Sequence, residues 1–242
     1  MRRVRVIGVG PGDPDLVTVE AVRALRSVDY FVVSDKSGRG GMPDPLVEAR
    51  GRLLGRHLDS EPVVVRITDP VRERSTEEAY EEALLAHEGD AGFLVWGDPA
   101  FYDSTIRILE RVAERGRIRL EVDVLPGISS LQLLAARHRI VLHEVGQPLH
   151  VTGRRGLREA IDAGQTNIVV MLNSAIELDD LEEWKIWWGG NLGTFSEELV
   201  SGRVGDVLEE IDAARVRARD AAGWVMDIFL LRGPGWLSPR GS

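Results

Sequence analysis

Residues 4–13 read Val-Arg-Val-Ile-Gly-Val-Gly-Pro-Gly-Asp, an apolar and β-branched run that passes directly into a turn rich in glycine and proline. Two further apolar runs end in the same way, at Gly97-Asp98-Pro99 and at Pro126-Gly127-Ile128. Glycine lacks a Cβ, so its backbone can approach a ligand closely, and proline fixes the turn that presents it. Three such turns in one chain favour an enzyme over a structural scaffold.

Strands and helices alternate along the whole chain. Up to residue 125, hydrophobic periodicity predicts strands at 4–9, 30–33, 63–67, 91–96 and 120–125, and helices at 19–28, 43–54, 75–87 and 104–114. Beyond it, the pattern predicts helices at 130–137, 157–163 and 204–214, strands at 149–152, 167–172 and 224–231, and strand or loop at 184–188 and 197–201. This alternation predicts two α/β domains, 1–125 and 126–242, with a loose tail from residue 233.

Composition excludes several classes of function. The chain has 242 residues and 43% hydrophobic content, which is enough for a large core. It contains no cysteine, so disulfides, thiolate metal sites and cysteine nucleophiles are absent, and a reducing cytoplasm is expected. Its 39 acidic and 30 basic residues give a net charge of −9, which disfavours nucleic acid as a partner. No apolar segment is long enough to predict a membrane span.

The common ligand-binding motifs do not fit. A dinucleotide fingerprint that begins at Gly8 and Gly10 would need its third glycine at position 13, where Asp13 stands and would oppose a phosphate. The sequence also lacks a P-loop, an HExxH helix and a GxSxG elbow. Its five histidines are scattered, so no metal site is predicted.

The residues instead match a known family. The run Val6–Thr18, the segment Gly97–Tyr102 and the turn Pro126–Ser130, taken in this order, resemble the tetrapyrrole methylases, which use S-adenosylmethionine and release S-adenosylhomocysteine. The segments 96–107, 135–140 and 223–227 are most similar to family members that methylate C1 of precorrin-5 and release acetate. The resemblance implies a homodimer in which each chain has two α/β domains. Each domain would hold a mostly parallel or mixed sheet flanked by helices, with the cofactor in the cleft between domains.

The resemblance also implies a set of cofactor-binding residues. A sulfonium cation is attracted by a carboxylate such as Asp98 and by an aromatic face such as Trp96. Met171 would meet the adenosine, and the turn at 193–194 would close the same pocket. The full set is Pro11, Trp96, Gly97, Asp98, Phe101, Ser129, Ser130, Met171, Gly193 and Thr194.

Release of acetate requires an activated water, and a macrocycle with many carboxylates requires cationic partners. Asp13 is the first candidate for the base because it lies in the first glycine turn, with Asp103, His138 and His143 as the other candidates. The candidate substrate-binding residues are Lys36, Arg137, Arg139, Arg154 and Arg155, with Arg39 and Arg158 as further candidates for the same role.

Structural interpretations of the same residues stay open. Asp98 and Asp13 are also typical turn caps, and Ser129 and Ser130 are typical N-caps. The arginines at 154, 155 and 158 could form a solvated helix start. Met171 and the group Trp184, Trp187 and Trp188 could serve in packing alone.

Two alternative functions also stay open. A methylase of the same fold could act on another precorrin, uroporphyrinogen, an RNA ribose or a protein side chain. A non-catalytic module could bind S-adenosylmethionine or a tetrapyrrole as a sensor.

Overall fold

Five parallel strands form the sheet of the first half of the molecule. The structure, a computed structural model, describes residues 1–35, 45–68, 75–173 and 175–236, and the chain divides into two compact units, Met1–Ser129 and Ser130–Ser242. The strands of the first unit are β1 (Arg2–Gly8), β2 (Tyr30–Asp35), β3 (Val64–Thr68), β4 (Ala91–Val95) and β5 (Leu120–Leu125), and they lie in the order β3-β2-β4-β1-β5. Its helices are α1 (Val19–Leu25), α2 (Pro45–His57), α3 (Thr76–Ala86) and α4 (Thr105–Glu114).

The strand order of the first unit creates a topological switch point between β1 and β4. The chain leaves β1 toward β2, on the far side of β4, and leaves β4 toward β5, on the far side of β1. Accordingly α1 packs in one hydrophobic cluster with Ile7 and Leu94, whereas α4 packs in another with Val6 and Phe93. In open α/β sheets, ligands bind at the carboxyl ends of the strands at such a point. The three glycine turns follow β1, β4 and β5 at this edge.

The second unit contains a mixed sheet. Its helices are α5 (Ser130–His138), α6 (Leu157–Asp162) and α7 (Val204–Ala222). Its strands are β6 (His150–Gly153), β7 (Asn167–Met171), β8 (Lys185–Gly190), β9 (Glu198–Arg203) and β10 (Asp227–Arg232), in the order β6-β7-β10-β8-β9. Only β6 and β7 pair in parallel, and the other three pairings are antiparallel. Both units therefore have the predicted α/β class.

Local signals in the sequence are confirmed. Thr18 caps α1 by accepting a hydrogen bond of 3.1 Å from the backbone N–H of Ala21. Ser75 and Glu78 form the predicted capping box of α3, with both hydrogen bonds at 3.2 Å. All five residues of β4 are buried, as expected for an apolar strand inside a parallel sheet.

Several predicted boundaries are wrong. Helix α7 continues to Ala222, well beyond residue 214, and ends where Gly223 takes a φ of +76°. The last strand begins at Asp227 and not at residue 224, because the backbone of Met226 bonds to Asn191 instead of to a strand: its N–H donates to the side-chain Oδ1 of Asn191, and its carbonyl accepts from the N–H of Asn191. The predicted helix at 19–28 ends at Leu25. The segments predicted as strand or loop at 184–188 and 197–201 lie, except for their first residues, in β8 and β9, which pair with each other.

The tryptophans of β8 pack in the second unit. Trp188 is fully buried in the core with Ile168 and Phe229, and Trp187 lies beneath the guanidinium of Arg232 at 5.0 Å. Within the described residues, no helix combines the length and apolar character needed to cross a bilayer.

Candidate functional site

The turns after β1 and β4 are joined by a pair of backbone hydrogen bonds. Gly10 donates to the carbonyl of Gly97 at 3.2 Å, and Gly97 donates to the carbonyl of Gly10 at 2.8 Å, which forms an isolated antiparallel bridge. The φ angles of Gly10 and Gly97 are +76° and +71°, in the left-handed region that residues with a side chain rarely adopt. The bridge therefore depends on glycine at both positions and closes the edge of the sheet at the switch point.

The turn after β5 packs against the other two. A Cβ on Gly8 would lie 2.5 Å from the nitrogen of Gly127, and a Cβ on Gly127 would lie 2.1 Å from the carbonyl oxygen of Gly97. Both distances are shorter than any real carbon contact. Glycine is therefore required at Gly8 and Gly127 because backbone atoms of neighbouring turns occupy the space of a side chain. The sequence had suggested that this space serves the approach of a ligand.

Asp98 connects two of these turns through its carboxylate. Its Oδ1 accepts from the backbone N–H of Ala100 at 2.8 Å, and its Oδ2 accepts from the backbone N–H of Gly127 at 2.9 Å. The first bond closes the local turn that the sequence analysis gave as the structural alternative for Asp98. The second bond joins the turn after β4 to the turn after β5. The carboxylate is half-buried, so it places a fixed negative charge at the switch point.

The other candidates of the first unit differ in their exposure to solvent. Pro11 and Ser129 are buried, Trp96 is half-buried and Phe101 is 38% exposed. Ser130 is the first residue of α5 and belongs to the second unit. A carboxylate with accessible aromatic neighbours suits a ligand that carries a sulfonium cation.

Tyr102 belongs to the second motif, although the sequence assigns it no role. It is 52% exposed and adopts a φ of +52°, which is unusual for a residue with a bulky side chain. Such conformations cluster at functional sites. The sequence signal that could have found it is the aromatic pair Phe101-Tyr102 directly after a glycine turn.

In the second unit, the candidates Met171, Gly193 and Thr194 follow strand ends that share one edge. Strands β7 and β8 both run antiparallel to β10, which lies between them, so their carboxyl ends lie at the same edge. Met171 ends β7, and β8 leads into the turn that holds Gly193 and Thr194.

Asn191 organises this turn, and sequence reasoning missed it. It is 2% exposed with a φ of +46°, and its side chain bonds the backbone of Trp224 at 3.1 Å and of Met226 at 2.8 Å. Thr194 donates its hydroxyl to the carbonyl of Asn191 at 2.8 Å, so that hydroxyl is used inside the turn. An asparagine between glycines in Gly190-Asn191-Leu192-Gly193 is typical of a left-handed turn and was the available signal.

Each of the four candidate bases makes a hydrogen bond to the backbone, and for His143 it joins Nδ1 to the carbonyl oxygen of Glu144 at 3.3 Å. Asp13 Oδ1 accepts from Asp15 N–H at 2.9 Å, and Asp103 Oδ1 accepts from Thr105 N–H at 2.7 Å. Asp103 therefore caps α4, because Ser104 makes no capping bond. His138 lies in the second unit with its Nε2 at 2.9 Å from the carbonyl oxygen of Trp188. Burial lowers the pKa of His138, so its ring is neutral at pH 7.

The basic candidates differ in their partners. Arg137 donates to Glu197 at 2.8 Å, and Arg154 lies 3.5 Å from Glu177. Arg158 donates to Asp180 and to the carbonyl of Glu177. Arg139 and Arg155 are exposed, and neither has an acidic partner within the described residues. The candidate Lys36 and its neighbour Arg39 lie outside the described residues, as does the predicted loop at 37–42.

A metal centre finds no support in the part of the chain that the structure describes. No group of three or more histidine, aspartate or glutamate side chains there could hold an ion.

Comparisons with known proteins show which sequences and folds this chain resembles. The family model of the tetrapyrrole (corrin/porphyrin) methylases matches residues 3–208. The chain is 40% identical to a precorrin-6A synthase (deacetylating) of Sinorhizobium sp, over 96% of this chain and 95% of that protein.

Solved structures are similar as well. The crystal structure of a cobalamin-synthesis-related protein from Corynebacterium diphtheriae matches with a TM-score of 0.83 and 32% identity, over 96% of this chain and 98% of that one. A uroporphyrin-III C-methyltransferase from Thermus thermophilus, complexed with S-adenosylhomocysteine, has a TM-score of 0.60 at 20% identity, over 96% of this chain and 97% of that one. At that identity, the second match speaks for the fold alone.

Proposed function

The chain belongs to the tetrapyrrole methylase family, and on this premise we propose that it methylates C1 of precorrin-5 and releases the extruded two-carbon unit as acetate, giving precorrin-6A. It is an S-adenosylmethionine-dependent methyltransferase of cobalamin biosynthesis. The observation that carries the choice of acceptor is the 40% identity to the Sinorhizobium precorrin-6A synthase over nearly the full length of both chains.

When bound, S-adenosylmethionine supplies a methyl group that its sulfonium has already activated for transfer to carbon. We propose that Asp98 and the faces of Trp96 and Phe101 provide the electrostatic match for this cation, with Pro11, Gly97, Ser129 and Ser130 as the other contacts. The half-buried carboxylate and the exposed ring of Phe101 support this assignment. Met171, Gly193 and Thr194 are proposed to contact the adenosine part.

The protein's main task in methyl transfer is to hold reactants in a fixed geometry. The Gly10–Gly97 bridge and the two hydrogen bonds of Asp98 order these turns without a ligand. A site that is already ordered loses less conformational entropy on binding. We therefore propose that these backbone contacts serve catalysis by preorganisation.

Loss of the two-carbon unit requires a base that takes a proton from water. We propose Asp13 for this step, since its bond to Asp15 uses Oδ1 and orients the carboxylate, whose Oδ2 would accept the proton. Asp103 and His138 are the alternatives. His138 is supported by its lowered pKa, which keeps a ring nitrogen able to accept a proton at neutral pH.

The carboxylates of the macrocycle call for exposed cations. Arg139 and Arg155 are the best-supported partners because they are exposed and carry no ion pair among the described residues. Arg154 would exchange its contact with Glu177 for one with the substrate.

The product formed from precorrin-5 and S-adenosylmethionine tests the proposal. Mass spectrometry should find a product that has gained one methyl group and lost the two-carbon acyl unit, with acetate and S-adenosylhomocysteine in equal amounts. Uroporphyrinogen III serves as the control acceptor and should remain unchanged.

Two results would contradict this function. Turnover of uroporphyrinogen III without turnover of precorrin-5 would identify another methylase of the same fold. Binding of S-adenosylhomocysteine without turnover of either acceptor would favour a sensor module.

A further inference from the structure

Glu197 links helix α5 to the turn that follows β8. Its Oε2 accepts from the backbone N–H of Gly193 at 2.7 Å, and its Oε1 accepts from Nε of Arg137 at 2.8 Å. Arg137 lies in the last turn of α5. Both carboxylate oxygens are thus engaged, one by the turn and one by the helix.

The backbone N–H of Gly193 is the group of this turn that Glu197 binds. Gly193 is buried and adopts a φ of +73°, and its N–H donates to the side chain of Glu197. A buried N–H without an acceptor destabilises the conformation that leaves it unpaired. The opposite side of the turn is held by Asn191, whose carbonyl accepts from both the backbone and the hydroxyl of Thr194.

We propose that Glu197, braced by Arg137, is a positioning residue that sets the conformation of the Gly193–Thr194 turn and thereby the affinity for S-adenosylmethionine. This inference rests on the proposed function, in which that turn contacts the cofactor. It also gives Arg137 a role inside the second unit in place of contact with a substrate carboxylate. The charge of Arg137 orients Glu197, and Glu197 in turn orients the amide of Gly193.

The next residue in the chain offers a matched control. Glu198 accepts two hydrogen bonds from Arg217 of α7, at 3.1 and 2.7 Å. The side chains of Glu197 and Glu198 are 21% and 26% exposed, so the two ion pairs are similarly placed toward solvent. Glu198 makes no hydrogen bond to residues 191–194 in the described structure. Glu198→Ala therefore removes an ion pair of the same kind without touching the turn.

The affinity for S-adenosylhomocysteine, measured by calorimetry, tests the inference. Glu197→Ala should weaken binding roughly ten-fold and raise the KM for S-adenosylmethionine by a similar factor, since the partly buried hydrogen bond to Gly193 is lost. The kcat at saturating cofactor should change less than two-fold. Glu197→Gln keeps an acceptor for Gly193 and should recover most of the affinity, whereas Glu198→Ala should bind like wild type.

A double mutant distinguishes the orientation of Glu197 by Arg137 from a second, independent role of Arg137. If Arg137 acts only through Glu197, then Arg137→Ala should weaken binding, and Arg137→Ala with Glu197→Ala should bind no more weakly than Glu197→Ala alone. Additive losses of affinity in the double mutant would overturn the proposal that Arg137 acts through Glu197.

The failures of the two proposals are distinguishable. Wild-type protein that does not bind S-adenosylhomocysteine would contradict the proposed function. Wild-type binding with equal affinities in Glu197→Ala and Glu198→Ala would overturn the positioning role and leave the function intact. If Glu197→Ala does not fold, unchanged affinity in Arg137→Ala would overturn the positioning role.

Discussion

Asp98 shows how a single side chain can join segments that are far apart in the chain. Its two carboxylate oxygens accept from the backbone of Ala100 and of Gly127, so one residue holds the turns after β4 and β5 together. The same carboxylate is the proposed electrostatic partner of the cofactor. Its structural and functional roles are compatible, because a carboxylate has about four acceptor positions.

Asp98→Ala should weaken binding of S-adenosylhomocysteine by at least about ten-fold and lower the free energy of unfolding by about 1–3 kcal/mol, since two backbone donors lose their acceptor. Calorimetry and urea denaturation measure the two effects. Asp29→Ala is the matched control, because Asp29 accepts from the backbone N–H of Asp90 at 2.7 Å, at the opposite edge of the same sheet. It should lose stability with no loss of affinity. Equal affinities in both variants would mean that Asp98 is only a turn cap.

At the scale of elements, the ends of β1, β4 and β5 are brought together by glycine. Gly8 and Gly127 approach each other so closely that a methyl group on either would overlap backbone atoms. Backbone cannot move aside as a flexible side chain can, so the three turns would have to separate. The site at the switch point therefore depends on the packing of strand ends as much as on its side chains.

Gly127→Ala should lower the free energy of unfolding by about 1–3 kcal/mol, the usual cost of overpacking, and should weaken binding of S-adenosylhomocysteine. Gly51→Ala is the control, because Gly51 lies in α2, where an added methyl group would meet no described atom within 4 Å beyond the backbone of its own helix. There the change should stabilise the protein by about 0.5–1 kcal/mol, since alanine favours a helix. Midpoints of urea denaturation compare the two variants. A Gly127→Ala variant as stable as wild type would contradict the close packing of the turns.

At the scale of the whole molecule, ligand binding and stability are linked. A ligand that binds only the folded protein stabilises it by about 2.7 kcal/mol at 100 times its Kd. For a protein of 242 residues this corresponds to a rise in Tm of roughly 5–10 °C. S-adenosylhomocysteine should produce this shift in a thermal melt. ATP, which shares only the adenosine part, should not, and an equal shift by both would contradict a site for the sulfur-bearing part.

The sequence alone determined the features that depend on neighbouring residues. The caps at Thr18 and Ser75 join residues three positions apart, and the burial of β4 follows from its continuous apolar run. The glycine turns and their family resemblance could also be found, because they are short contiguous motifs. Where a boundary depended on a distant partner, as at Met226, prediction failed.

Only the tertiary structure decided which groups meet. Asp98 and Gly127 are separated by 29 positions and Arg137 and Glu197 by 60, and nothing local marks them as partners. Strand order and register set these contacts, and hydrophobic alternation carries no information on the identity of a neighbouring strand. Charge alone also did not predict the ion-pair partners, since an arginine can pair with any carboxylate that the fold brings within reach.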